Sequence, residues 1–125
     1  MNHKDFLDLA KRLSDDKESK DVEFRTSISR AFNYAFIDIR NRYWNDSRVI
    51  FKGGEGDKIL VRELLGAAKQ KFLMEQWRNF TKDRNDAEYY MDTEFEKTFV
   101  DEYIKDIEDF LADIKSKVRL KKKAN

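Results

Sequence analysis

The sequence predicts an all-α fold, and three features carry that expectation. Apolar residues recur at intervals of three and four over nearly the whole length, no proline interrupts them, and three of the four glycines fall in one segment, Gly53-Gly54-Glu55-Gly56. Four amphipathic faces of this kind cannot be covered singly. The expected architecture is therefore an antiparallel four-helix bundle with a short extra N-terminal or kinked helix. A chain of 125 residues makes one domain that can bury a core without staples. Residues 1–118 are assigned to the bundle and 119–125 to a basic C-terminal tail.

The first helix is short and carries Phe6, Leu9, Ala10 and Leu13 on one face; the polar stretch Ser14-Asp15-Asp16-Lys17 ends it. The second spans residues 20–44, with Phe24, Ile28, Ala31, Phe32, Ala35, Phe36, Ile39 and Tyr43 as its stripe. Asp46-Ser47 and the glycine segment then bracket the one clear loop. Glycines ahead of a helix also occur in phosphate-cradling loops. Here the G-x-x-x-x-G-K-[ST] spacing is missing, no strand precedes, and Glu55 and Asp57 would repel phosphate, so a flexible connector is expected.

A third helix starts at Asp57, read as its N-cap, and continues through Ile59, Leu60, Leu64 and Ala67. It either runs past Gly66 or kinks there into residues 71–87. The last helix opens on Thr93-Glu94-Phe95-Glu96, a capping-box pattern. Phe95, Phe99, Tyr103, Ile107, Phe110, Ile114 and Val118 give it the cleanest stripe in the chain. Among Phe32, Tyr34, Phe36, Tyr43, Trp44, Phe72 and Trp77, most are expected in the core. Tyr34, Tyr43 and Trp44 are the ones positioned to leave a face exposed.

Composition removes several function classes. Without cysteine there is no disulfide, thiol nucleophile or cysteine-ligated metal, and a single histidine, His3, argues against a histidine-centred metal or triad site. No apolar run approaches the roughly 20 residues of a membrane span. The start, Met1-Asn2-His3-Lys4-Asp5, lacks a signal peptide's apolar segment, so a cytoplasmic location and no membrane partner are expected. No cofactor is implied. A net charge of +1 hides an asymmetry: residues 92–113 are mainly acidic, whereas Lys115, Lys117, Arg119, Lys121, Lys122 and Lys123 follow without one acid. Such a tail either touches phosphates or is a frayed helix end whose cations suit the helix dipole.

Arg84 stands out. On the fourth segment Leu73, Trp77 and Phe80 lead to it, so a permanent cation takes the next place on a core-facing stripe. An unpaired buried guanidinium is very costly, so Arg84 needs an acidic partner, a solvent-filled cleft or an anionic ligand. Asp38, Asp86 and Glu88 are the candidate partners. In that case Tyr89 and Tyr90 would cap the bundle end with their rings inward.

Two segments, Ile28-Ser29-Arg30-Ala31-Phe32-Asn33-Tyr34-Ala35-Phe36 and Asp83-Arg84-Asn85-Asp86-Ala87-Glu88-Tyr89, resemble signatures of the HEPN superfamily of small helical bundles. The resemblance implies an RNA- or nucleotide-associated protein of a toxin–antitoxin or phage-defence type system. Active members cleave RNA without metal, commonly as homodimers. Their motif arginine corresponds to Arg84 and its polar neighbour to Asn85, while the histidine position falls on Tyr89. By that match Arg84, Asn85 and Tyr89 are the candidate catalytic residues, with Arg30, Arg78 and Lys82 as candidate RNA- or phosphate-binding residues.

In such chemistry Arg84 would stabilise charge on the phosphorane and Asn85 would orient phosphate. Tyr89 is a poor base, because a phenol of pKa about 10 is roughly a thousandfold short of its phenolate at neutral pH. The alternative is a non-catalytic helical dimerisation or adaptor protein paired with a nucleotidyltransferase-type antitoxin. In some such pairs the partner adenylylates a tyrosine at the place that is Met91 here, next to Tyr90.

Overall fold

The regular apolar spacing resolves into five helices among the described residues, which in this computed structural model are 2–16, 21–90 and 92–124. They are α1 (Lys4–Asp15), α2 (Asp21–Arg42), α3 (Asp57–Ala67), α4 (Lys71–Tyr89) and α5 (Lys97–Lys117). No strand occurs among these residues beyond one isolated antiparallel bridge, Asp46 to Lys122. None of the described helices is long and apolar enough to cross a membrane.

The centre is α2, which packs against α1, α3, α4 and α5. Its Ile28, Ala31, Phe32, Ala35 and Ile39 are wholly buried. Trp77 of α4 fills the middle, stacked 4.8 Å from Phe32 and 6.0 Å from Phe110, and its indole N–H donates to the Lys58 carbonyl at 3.0 Å. A buried tryptophan of this kind carries a large apolar area together with one polar atom that must be satisfied.

Element existence matches the expectation, while several ends differ. Asp57 is the first residue of α3 rather than its cap. Its buried carboxylate instead accepts the Lys52 and Gly53 N–H groups at 2.9 and 2.8 Å, which ties down a loop expected to be a flexible connector. The capping box at 93–96 does not form. The Thr93 carbonyl accepts a hydrogen bond from Arg25 and the Phe95 N–H points to Asp21, so α2 draws this segment into an extended lead-in and α5 starts at Lys97 without a side-chain cap. The first helix continues to Asp15, Lys17 lies outside the described residues, and Ser14 is buried, donating to Asp101.

Three aromatics also depart from expectation. Phe72 is 71% exposed rather than core, because it sits one residue, about 100° around the helix, from the buried Leu73. Phe99 is turned partly outward from its stripe. Tyr43 is buried, its hydroxyl donating to the Ile114 and Val118 carbonyls at the end of α5. Trp44 keeps an exposed face, and Tyr34 is half-buried and stacked on His3.

The basic tail is not a frayed end. The Ser47 N–H donates to the Lys121 carbonyl at 2.6 Å and the Lys123 N–H to the Asn45 carbonyl at 3.1 Å. Asp46, fully buried between them, accepts from the Lys121 N–H and from Arg48.

Candidate anion-binding groove on α3 and α4

The end of α4 is held by a residue of α2. Arg25 is 7% exposed, and its Nη1 donates to the Asp86, Ala87 and Tyr90 carbonyls, each at 3.1 Å, while Nη2 reaches the Thr93 carbonyl and Nε reaches Asp21. A helix leaves its last carbonyls without intrahelical donors, and here one guanidinium serves several of them. Sequence reasoning missed Arg25. The available signal was the Asp21–Arg25 spacing of four at the start of α2.

Arg84 lies beneath that end and is committed internally. Its side chain is 13% exposed, Nη1 donates to Asn85 Oδ1 at 3.1 Å, and its guanidinium sits 5.5 Å from the Phe32 ring centroid. Glu88 is its acid: Oε1 lies 3.1 Å from Arg84 Nε, though Nε–H is not aligned for a hydrogen bond, and the same oxygen accepts from Ser29 Oγ at 2.6 Å. Of the other candidates, Asp38 pairs with His3 and Arg42, and Asp86 faces Lys82.

Two more cations share the ring faces. Lys58 lies 5.9 and 5.7 Å from Phe32 and Phe36 and pairs with Glu55 at 2.5 Å; Arg40 lies 4.9 Å from Phe36 and 3.7 Å from Asp57. The Lys58 hydrogen bond and charge hold the Glu55 carboxyl below its ordinary value, with Arg84 and Arg40 adding to the effect. Each of the three cations therefore has its own carboxylate, and this inner cluster is balanced.

The groove beside it is not. A cavity of about 590 Å³ runs between the start of α3 and the outer side of α4, with Lys58, Arg62, Arg78 and Lys82 as cationic lining and Asp86 as the acidic side chain. Arg78 and Lys82 each stand 3.9 Å from an acid, Glu75 and Asp86. Exposed pairs this loose contribute about 0–1 kcal/mol, so both cations can be drawn to a better anion. Thr81 and Asn85 add hydrogen-bonding groups, and the lining residues Ile59 and Tyr90 are 63% and 61% exposed.

The groove thus brings together Arg78, Lys82 and Asn85 of the expected site, plus Lys58 and Arg62, whose spacing of four on α3 was the unread signal. Arg84 and Tyr89 do not line it. Arg84 and Asn85 meet through their 3.1 Å hydrogen bond, whereas Tyr89 lies about 140° around the helix from Arg84, so the three do not converge within one chain. Tyr89 and Tyr90 are 67% and 61% exposed, not packed inward as expected. Arg30 is also apart from this site: it stands over Phe6 of α1 at 5.6 Å, with a buried Nε that has no hydrogen-bond partner. Met91 lies outside the described residues.

No family model matches the sequence, and comparisons with curated proteins and with solved structures find no match.

Proposed function

We propose that this chain is a HEPN-like RNA- or nucleotide-associated protein of a toxin–antitoxin or phage-defence type system, and that it acts by binding rather than by cleavage. On this reading α2 to α5 form an antiparallel four-helix bundle and α1 is the extra N-terminal helix. The observation that carries the proposal is the cationic groove, where, with Lys58 assigned to Glu55, Arg62 and the loosely paired Arg78 and Lys82 face an anion, with the exposed Tyr90 ring among the lining residues. Phosphate would meet Arg62, Arg78 and Lys82, and a base would lie on Tyr90. Binding is favoured over cleavage because Arg84 is engaged by Glu88, Asn85 and Phe32 and is set apart from Tyr89.

The test is anisotropy of a labelled short single-stranded RNA with the native chain and the Arg78→Gln/Lys82→Gln variant. Binding at low salt is expected, at least tenfold weaker in the variant and with a shallower salt dependence, since each lost phosphate contact removes about 0.7 from the slope on a single strand. Gel analysis of the same RNA should show no cleavage that depends on Arg84. RNA degradation that disappears in Arg84→Ala would restore a nuclease, and no binding of RNA or nucleotide at low salt would end the reading.

A second reading, a dimeric non-catalytic adaptor paired with a nucleotidyltransferase-type antitoxin, is favoured by four exposed large apolar or aromatic residues on α3, α4 and its end: Ile59, Phe72, Tyr89 and Tyr90. Co-purification of a partner from the native host supports it, and a lone monomer counts against it.

A further inference from the structure

At the other end of α4, the turn after α3 meets the end of α5 and the returning tail. A cleft of about 400 Å³ there is lined by Arg48, Lys69, Lys117, Arg119 and Lys121, with Ala67, Ala68 and Ser116 completing the wall. No acidic side chain is among the lining residues. Like charges gathered this closely repel, so their collection calls for negative charge.

The fold supplies only part of it. Asp46 holds Arg48 at 2.9 Å. The carbonyl ends of α3 and α5 each count as about half a negative charge. By that reckoning roughly three positive charges stay uncompensated, and Lys69, Lys117, Arg119 and Lys121 have no carboxylate within ion-pair distance among the described residues.

Two constraints keep the cations together. Backbone bonds of Ser47 to Lys121 and of Lys123 to Asn45, with the Arg48 guanidinium on the Arg119 carbonyl and the Lys121 N–H on the Asp46 carboxylate, fold Arg119 and Lys121 back over the cleft. Lys69 closes α3 in a left-handed conformation, φ 59°, with its N–H on the Gly66 carbonyl at 3.0 Å and the Gln70 N–H on the Leu65 carbonyl at 2.9 Å. Glycine is the usual residue at that point, since it alone avoids the steric cost. Here a lysine bears the strain and adds a charge to the cleft wall.

We propose that this cleft is a second phosphate site, separate from the groove on α3 and α4, which takes an oligophosphate or a run of adjacent phosphodiesters. No aromatic ring lines it, so the ligand is held by its phosphate oxygens and not by stacking.

Calorimetric titration of the full chain with inorganic triphosphate, and in parallel with short single-stranded RNA, tests the proposal at low salt. The decisive variant is Lys69→Gly. It should raise Tm by a few degrees by relieving the left-handed backbone, yet weaken ligand binding about fivefold, two effects that loss of fold cannot produce together. Lys117→Gln/Lys121→Gln should weaken binding at least tenfold. The Arg78→Gln/Lys82→Gln chain, weakened in the groove, should retain triphosphate binding at the cleft, which separates this site from the first. Triphosphate binding without RNA binding identifies a free oligophosphate; RNA binding sensitive to Lys69→Gly identifies a nucleic-acid backbone. If neither ligand binds, or if Lys69→Gly and the double lysine variant bind like the native chain, the proposal is overturned.

Discussion

Arg25 and Arg84 are both guanidiniums drawn into the protein, and they are compensated differently. Arg25 is paired with Asp21 and spends its Nη donors on the carbonyls of Asp86, Ala87, Tyr90 and Thr93, whereas Arg84 relies on one poorly aligned acid, one amide and the face of Phe32. Replacing Arg25 by Met leaves the carbonyls of Asp86, Ala87, Tyr90 and Thr93 short of a donor, the Ala87 one in buried surroundings and the others partly so, each costing up to about 1–3 kcal/mol less whatever water recovers. The expected loss is therefore about 3 kcal/mol by urea denaturation, larger than for Arg84→Met, with faster amide exchange in residues 86–93. An equal loss for the two variants would contradict this account. The contrast also explains what the sequence revealed. Arg84 was legible because it broke an apolar stripe. Arg25 was not, since its acceptors are main-chain carbonyls about sixty positions away and any residue type provides those.

At the scale of elements, helix interiors were legible and helix ends were not. The stripes through Phe32, Trp77 and Phe110 are periodic in the chain itself, so their burial follows from spacing. Asp57 failed as a cap because the Lys52 and Gly53 N–H groups, close by in the chain, take its carboxylate, and the 93–96 segment failed because Arg25 and Asp21 of α2 hold the Thr93 carbonyl and the Phe95 N–H in an extended lead-in. The outer groove was half legible: Arg78 and Lys82 were named, and Lys58 and Arg62 joined them only through packing of α3 on α4. The flank of α4 toward α5 supports a prediction of its own. Asp83 lies beside Phe80 and Tyr103, and burial raises its carboxyl above the ordinary value, with Lys82 opposing and Asp86 adding. An acid whose folded pKa is raised holds its proton more tightly when folded, so its ionisation costs stability as pH rises through that window. Asp83→Asn should therefore raise Tm by a few degrees at pH 7, and the gain should shrink as pH falls toward 4. A gain independent of pH would mean that the charge is not responsible.

Across the whole molecule, two carboxylates fasten segments far apart in the chain. Asp46 joins the loop after α2 to the tail, and Asp101 joins α5 to α1 through Ser14 at 2.5 Å, with Lys97 at 2.8 Å beside it. The tail's charge pattern suggested either a phosphate contact or a frayed end, because nothing in that pattern showed that Asp46 would be buried against its backbone. Burial alone would raise both carboxyls. For Asp46, hydrogen bonds from Arg48 and the Lys121 N–H outweigh it; for Asp101, those from Lys97 and Ser14 do; both stand below the ordinary value. A depressed folded pKa gives stability that is fully present above the unfolded value, about 3.9, and is lost as pH falls through the folded one. Thermal melts should therefore change little between pH 7 and 5 and decline below about 4. Asp46→Asn should cost about 2 kcal/mol at neutral pH, since it leaves the partly buried Arg48 without its counter-charge and puts a neutral amide at a fully buried position. That deficit should narrow toward pH 3, where the native Asp46 is itself being protonated. Limited trypsin digestion adds a local readout: cleavage after Lys121 to Lys123 should accelerate in Asp46→Asn at pH 7 if the carboxylate is what holds the tail, and unchanged cleavage would show that the backbone bridge holds it unaided.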